Sequence, residues 1–141
     1  MTSLPLTPPV YPETPSALDD PRLADVIVRA TEANLRDADV VILGIPTDEG
    51  IRRNGGRPGA SDAPNAIRHW LGKLTPYAGP LFKDHLQALR IVDMGDVPIG
   101  DLEEMHAVAQ QTISELSQRG KIIITLGGGH DITYPAVKGW R

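Results

Sequence analysis

The sequence predicts an α/β fold organised on a parallel sheet, and three observations carry that prediction. Short β-branched apolar runs at Asp39–Gly44, Leu89–Met94 and Lys121–Leu126 alternate with segments of helical period. The first of these runs, continuous and ended by Gly44 and Pro46, suits a strand buried on both faces, as in a parallel sheet. Each run also opens directly into a polar, glycine-containing loop. Strands separated by helices pair in parallel through right-handed crossovers, and three such strands are readable.

Each element has its own signals. Residues 1–21 hold six of the thirteen prolines and show no sustained period, so they read as an irregular arm, with the folded domain occupying 22–141. Leu23, Val26, Ile27 and Ala30 recur at helical spacing behind Asp19, Asp20 and Pro21, which predicts a helix of about four turns. The first strand, Asp39–Gly44, stops at Gly44 and Pro46, and Thr47–Gly59 forms a loop rich in glycine and arginine. A second helix follows, with Pro64 in its first turn and Ile67, Trp70, Leu71 and Leu74 on one stripe. The Leu89–Met94 strand runs into Gly95–Asp96. Leu102, Met105, Ala109, Ile113 and Leu116 then mark a third helix that Gly120 ends. Lys121–Leu126 leads into Gly127-Gly128-Gly129-His130-Asp131.

Composition narrows the functional classes. With 141 residues, 40% hydrophobic and 23% charged, the chain has room for one globular core. A net charge of -4 gives neither a nucleic-acid footprint nor a polybasic membrane patch. The absence of cysteine excludes disulfides, cysteine-ligated zinc and a thiol nucleophile. No apolar run approaches the roughly 18 residues of a membrane span, and the N-terminus lacks signal-peptide features, so a cytoplasmic protein is expected.

In open parallel sheets, function collects in the loops beyond the carboxyl ends of the strands. Three such loops are readable: Ile45–Ala60, Gly95–Asp101 and Gly127–Tyr134. In the third, consecutive glycines allow close approach of a ligand and His130 projects from the strand end. That pattern fits a metal site with His130 as its first ligand, an anion-binding turn of backbone amides, or a plain turn with an exposed histidine. The first loop carries Arg52, Arg53 and Arg57 around Asn54. Arginine holds carboxylates bidentately, so the loop suits a small acidic ligand; equally, its arginines can pair with Asp48, Glu49 and Asp62. Asp93 and Asp96 fit a turn in which carboxylates accept backbone amides. His69, His85 and His106 have no readable partner, which favours surface or packing roles.

Taken together, the loops resemble the ureohydrolase family of arginases, agmatinases and formimidoylglutamases, from about Asp39 onward. The marks are Gly44-Ile45-Pro46, Gly56-Arg57-Pro58-Gly59-Ala60 leading to Pro64-Asn65-Ala66-Ile67-Arg68, then Asp93-Met94-Gly95-Asp96-Val97, and Gly127-Gly128-Gly129-His130-Asp131. Within the family, Asp48-Glu49-Gly50-Ile51-Arg52-Arg53-Asn54 and Gly129 are similar to the formimidoylglutamase branch. Asp131 stands where that branch has glutamate, and Ile132-Thr133-Tyr134-Pro135 looks more like agmatinase.

The resemblance implies an arginase-like α/β/α fold with two Mn²⁺ ions at the carboxyl edge. It implies hydrolysis of an amidine or guanidine C–N bond by a metal-bridging hydroxide. The expected substrate is a small acidic amidine, formimidoylglutamate giving glutamate and formamide in histidine degradation, with agmatine or another guanidino compound as the alternative. His130 matches the family's first metal-ligand histidine, and Arg53, Asn54 and Arg57, with Arg52 behind them, are expected to meet substrate carboxylates. A complete enzyme is expected to be a homo-oligomer. The family's later ligands, in an Asp-x-His-x-Asp strand end and an Asp-x-Asp-x-x-Asp segment, have no counterpart in the 141 residues. No residue is therefore assigned as catalytic, and the chain alone is expected to be inactive: an N-terminal part of the domain, or a non-catalytic half that pairs with a second polypeptide. A binder of anions or nucleotides through Gly127–Gly129 is a further alternative.

Overall fold

A computed structural model of the chain describes residues 6–13, 20–77 and 88–140. His85, Asp19 and most of the proline-rich arm lie outside the described residues.

The centre of the molecule is β2 (Val40–Ile45), whose six residues are all buried. It pairs in parallel with β3 (Ile91–Asp96) on one side and β4 (Ile122–Gly127) on the other. A two-residue strand, β1 (Val28–Arg29), extends the sheet beyond β3, giving the order β1-β3-β2-β4.

Strand period sorts the core into two faces. Val40 and Ile42 of β2 pack with Leu23, Ile27, Ile91 and Leu126, and Leu71 of α4 (Ala63–Leu71) covers them. Leu43 and Ile45 point the other way, against Met105, Ala109 and Ile113 of α5 (Leu102–Ser117) and Ala136 of α6 (Thr133–Gly139). Val41 and Val92 join that second face with Leu35 of α2 (Glu32–Asp37) and Leu116. Helices thus flank the sheet on both sides, as the sequence predicts. Each fully buried Leu, Ile or Val contributes about 1.5–3 kcal/mol relative to exposure, so this double-faced packing dominates stability.

The third predicted helix is present as α5, with Leu102, Met105, Ala109, Ile113 and Leu116 all buried, and Gly120 beyond it at φ 68°. Three expectations need correction. The helix of about four turns behind Asp20 is a single turn, α1 (Leu23–Val26), then β1, then α2. The β-branched Val26-Ile27-Val28 favours extended backbone, Val28 pairs with Val92, and Thr31 and Asn34 cap each other reciprocally to start a new helix. The Thr47–Gly59 loop contains a short helix, α3 (Glu49–Arg53). Finally, three of the four residues of the apolar stripe predicted for the second helix face outward, Ile67, Trp70 and Leu74 being 41%, 67% and 56% exposed, and only Leu71 packs on the core. Pro64 and Arg68 occupy the inward face instead, because Arg68 meets two buried carboxylates there.

The described part of the arm has the expected irregular backbone, yet it is fastened down. Thr7 and Asp96 exchange backbone hydrogen bonds in an isolated antiparallel bridge. Gly95 permits it: the residue sits at φ 86°, and a Cβ there would lie 1.9 Å from the Thr7 carbonyl oxygen. Leu6 and Tyr11 pack on opposite faces of the core.

Candidate active site

Parallel pairing brings the ends of β2, β3 and β4 to one edge of the sheet, and their loops diverge in role. The β3 loop turns inward. Arg68 Nε and Nη2 donate to the two carboxylate oxygens of Asp93 at 2.8 and 3.0 Å, and Nη1 donates to Asp96 Oδ1 at 2.6 Å. Asp93 Oδ2 also accepts from the Tyr11 hydroxyl at 2.7 Å, and Oδ1 from the Gly95 amide at 2.8 Å. The amide bond to Asp93 is as expected for a turn carboxylate; the dominant partner is Arg68. Burial alone would lower the Arg68 pKa, but its hydrogen bonds and Coulomb attraction to Asp93 and Asp96 leave it raised. Burial first, and then the bond to Asp93, pushes the Tyr11 phenol well above its ordinary value. Gly44 leaves space for this cluster, since a Cβ there would fall 1.7 Å from Asp96 Oδ1. Asp93 and Asp96 are therefore internal ties.

The β2 and β4 loops build a recess. Gly129 donates its amide to the Thr47 carbonyl at 2.9 Å, and a Cβ on Gly128 would lie 1.8 Å from the same oxygen, so the two loops touch backbone to backbone. Asp48, 6% exposed, gathers the first loop: Oδ2 accepts from the Gly59 amide at 2.6 Å and Oδ1 from Arg52 Nε at 3.0 Å. These bonds, the Gly59 amide foremost, hold its carboxyl below the usual range. An open cavity of about 360 Å³ results, lined by Gly50, Ile51, Asn54, Gly56, His130 and Asp131.

The predicted site residues meet this cavity unequally. His130 and Asn54 line it together, from different loops. Arg53 turns to carboxylates, with Nε donating to Glu49 at 3.2 Å and both terminal nitrogens donating to Glu103. Arg52 is taken by Asp48. Arg57 is exposed and has no ion pair with any described residue. His106, which has no readable partner in the sequence, lies with Nε2 2.9 Å from Asp131 Oδ2. The other oxygen, Asp131 Oδ1, is the one buried side-chain polar atom without a hydrogen-bond partner among the described residues. An anion cradle at the third turn loses donors, because the Gly129 amide is spent on Thr47 and the Ile132 amide on Gly129.

Sequence reasoning missed Arg68 as a core residue, Tyr11 as its companion and His106 as a partner of the third loop. Arg68 and Asp93 each sit in a recognisable motif, but no signal in either motif points to the other.

A parallel sheet flanked by helices, with glycine-containing loops gathered over a recess at its carboxyl edge, defines the chain as part of an α/β protein whose site lies beyond the strand ends. Residues 38–141 match the model of the Arginase family, and the chain belongs to that family. It is 35% identical over 126 residues to the formimidoylglutamase of Klebsiella pneumoniae subsp. pneumoniae, covering 86% of this chain and 36% of that protein. Trypanosoma cruzi formiminoglutamase, solved with Mn²⁺, superposes with a TM-score of 0.76 at 36% identity, covering 86% of this chain and 40% of that one. The agmatine ureohydrolase of Thermoplasma volcanium superposes with a TM-score of 0.67 at 31% identity, covering 85% and 38%. The chain thus spans little more than a third of the length of the Klebsiella relative. Among the described residues, no three histidine or carboxylate side chains converge as a metal centre would need.

Proposed function

We propose that the chain supplies the N-terminal part of a manganese-dependent hydrolase of amidine C–N bonds, with formimidoylglutamate as substrate and glutamate and formamide as products. That activity would place it in histidine degradation. The observation that carries this reading is the shared cavity: His130, at the family's metal-ligand position, and Asn54, from the basic loop, line one recess at the carboxyl edge. The likeness to formimidoylglutamases over 86% of the chain supports the substrate class.

The described residues do not by themselves fit a binuclear manganese centre. Mn²⁺ takes several oxygen and nitrogen ligands, whereas His130 stands without a converging set of carboxylates. No catalytic step is therefore assigned to residues of this chain. Their part is recognition: the Arg57 guanidinium and the Asn54 amide provide donors for substrate carboxylates, and His130 offers an imidazole nitrogen to a centre completed by other residues.

The test is an assay of formamide release with Mn²⁺. The 141-residue chain alone is expected to give none, whereas the chain joined to, or mixed with, a segment carrying the family's two acidic motifs is expected to hydrolyse formimidoylglutamate in preference to agmatine. Preference for agmatine would replace the substrate assignment with a guanidino hydrolase. Release by the chain alone would overturn the division of the site. A half that pairs with a second polypeptide is a second reading, favoured by the open edge of β4, which pairs only with β2 among the described residues.

A further inference from the structure

Helix α5 reaches both walls of the cavity from one face. Glu103 and His106 are three residues apart and therefore neighbours on the helix surface. Glu103 accepts from both terminal nitrogens of Arg53, with Nη2 at 3.1 Å from Oε2 and Nη1 bonded to Oε1, in the two-pronged geometry that guanidinium and carboxylate favour. His106 holds Asp131 at 2.9 Å. Asp131 in turn fits between the two loops, where a Cβ on Gly50 would lie 2.6 Å from its Cγ and one on Gly129 would lie 2.1 Å from its Oδ1.

All three guanidinium nitrogens of Arg53 are occupied, by Glu103 and Glu49. A guanidinium so committed has no free edge for a substrate carboxylate, whereas Arg57, exposed and without an ion pair among the described residues, has one. The next residue after Arg53 is Asn54, which lines the cavity with His130.

We propose that Arg53 is a positioning residue: latched to Glu103 of α5, it fixes α3 so that Asn54 faces the cavity, and it does not itself read the carboxylate of the substrate. This rests on the acidic-substrate reading above and refines it. The latch is exposed on both sides, with side chains 49% and 67% accessible, so it contributes little to global stability and acts locally.

The experiment uses E103Q, R53A and the charge exchange R53E/E103R, each read by amide hydrogen exchange and, in the active assembly, by steady-state kinetics on formimidoylglutamate. E103Q and R53A are each expected to speed exchange several-fold over residues 49–54 while leaving β4 unchanged. Both should raise KM several-fold with kcat little altered, and their effects should not add. The charge exchange should restore protection and KM together, because the arginine then projects from α5 toward two carboxylates on α3. Protection restored with KM still raised would mean that Arg53 touches the acidic substrate itself, and the proposal fails. Unchanged exchange over 49–54 in E103Q also overturns it. If the active assembly turns over no acidic amidine, the functional reading fails separately, and the exchange data still decide the latch.

Discussion

Arg68 shows how a single residue can organise a fold through charge. Its side chain is fully buried, and so is that of Asp93, while Asp96 is 11% accessible. A buried ion pair of this kind adds little over a well-packed apolar substitute, but breaking it is costly because a desolvated charge is left unpaired. Arg68→Ala strands two carboxylates at once and is expected to destabilise by about 3–5 kcal/mol. Arg68→Lys should recover only part of this, since an ammonium cannot make the planar fork to Asp93. Equilibrium denaturation measures both losses, and an Arg68→Ala protein within about 1 kcal/mol of wild type would contradict the account, since that is the range of exposed pairs. The same cluster ties the arm to the core, because Tyr11 donates to Asp93 and Thr7 pairs with Asp96.

At the scale of elements, legibility followed the range of the interaction that decides each one. β2, β4 and α5 are set by local period and burial, and their positions lie within two residues of those the sequence predicts. The α1–β1–α2 segment was not legible, because helical spacing of Leu23, Ile27 and Ala30 competes with pairing of Val28 to Val92, a contact distant in the chain. The direction of α4 depends likewise on Asp93, 25 residues beyond Arg68. The His130 turn and the basic loop were legible as motifs, while the clasp of His106 on Asp131 and the latch of Arg53 on Glu103 needed the tertiary arrangement. The basic loop also carries a pH dependence. Asp48 bridges Gly59 and Arg52, and its carboxyl sits below the usual range in the folded state. A depressed carboxyl contributes stability that is complete above its unfolded pKa of about 3.9 and is lost as pH falls through the lower folded value. Thermal melts of wild type and Asp48→Asn should therefore differ most from neutral pH down to about pH 5, and converge only as the pH falls below the unfolded value of about 3.9 and through the lower folded one. A constant difference across that range would assign the effect of Asp48 to something other than its charge.

Among the described residues the arm bridges β3 at Asp96, while β4 forms an open edge on the opposite side of β2. β4 bonds to β2 along one side only among the described residues, and it shows Ile122 and Ile124 at 60% and 45% exposure. Behind it, Val137 and Trp140 are 69% and 74% exposed, and Lys121, Ile123, Ile113 and Ala136 line a neighbouring cavity of about 360 Å³. Exposed strand backbone flanked by apolar side chains is a template for pairing with another strand, which natural edges usually block with charge, proline or a covering element. The solved Trypanosoma cruzi relative has more than twice the length that matches here, so it has further chain with which such an edge can be covered. Alone in solution, the 141-residue chain is expected to self-associate through this edge, giving sedimentation profiles that shift to larger species as concentration rises. Ile122→Lys and Ile124→Lys place charge on the open face without touching the β2 ladder, and should reduce that association while leaving the circular dichroism of the sheet in place. A sharp monomer boundary at all concentrations for the unaltered chain would show the edge to be protected already. Unchanged association in the lysine variants would move the contact elsewhere, with the outward face of α4, where Trp70 and Ile67 stand exposed, as the next surface to test by the same substitution.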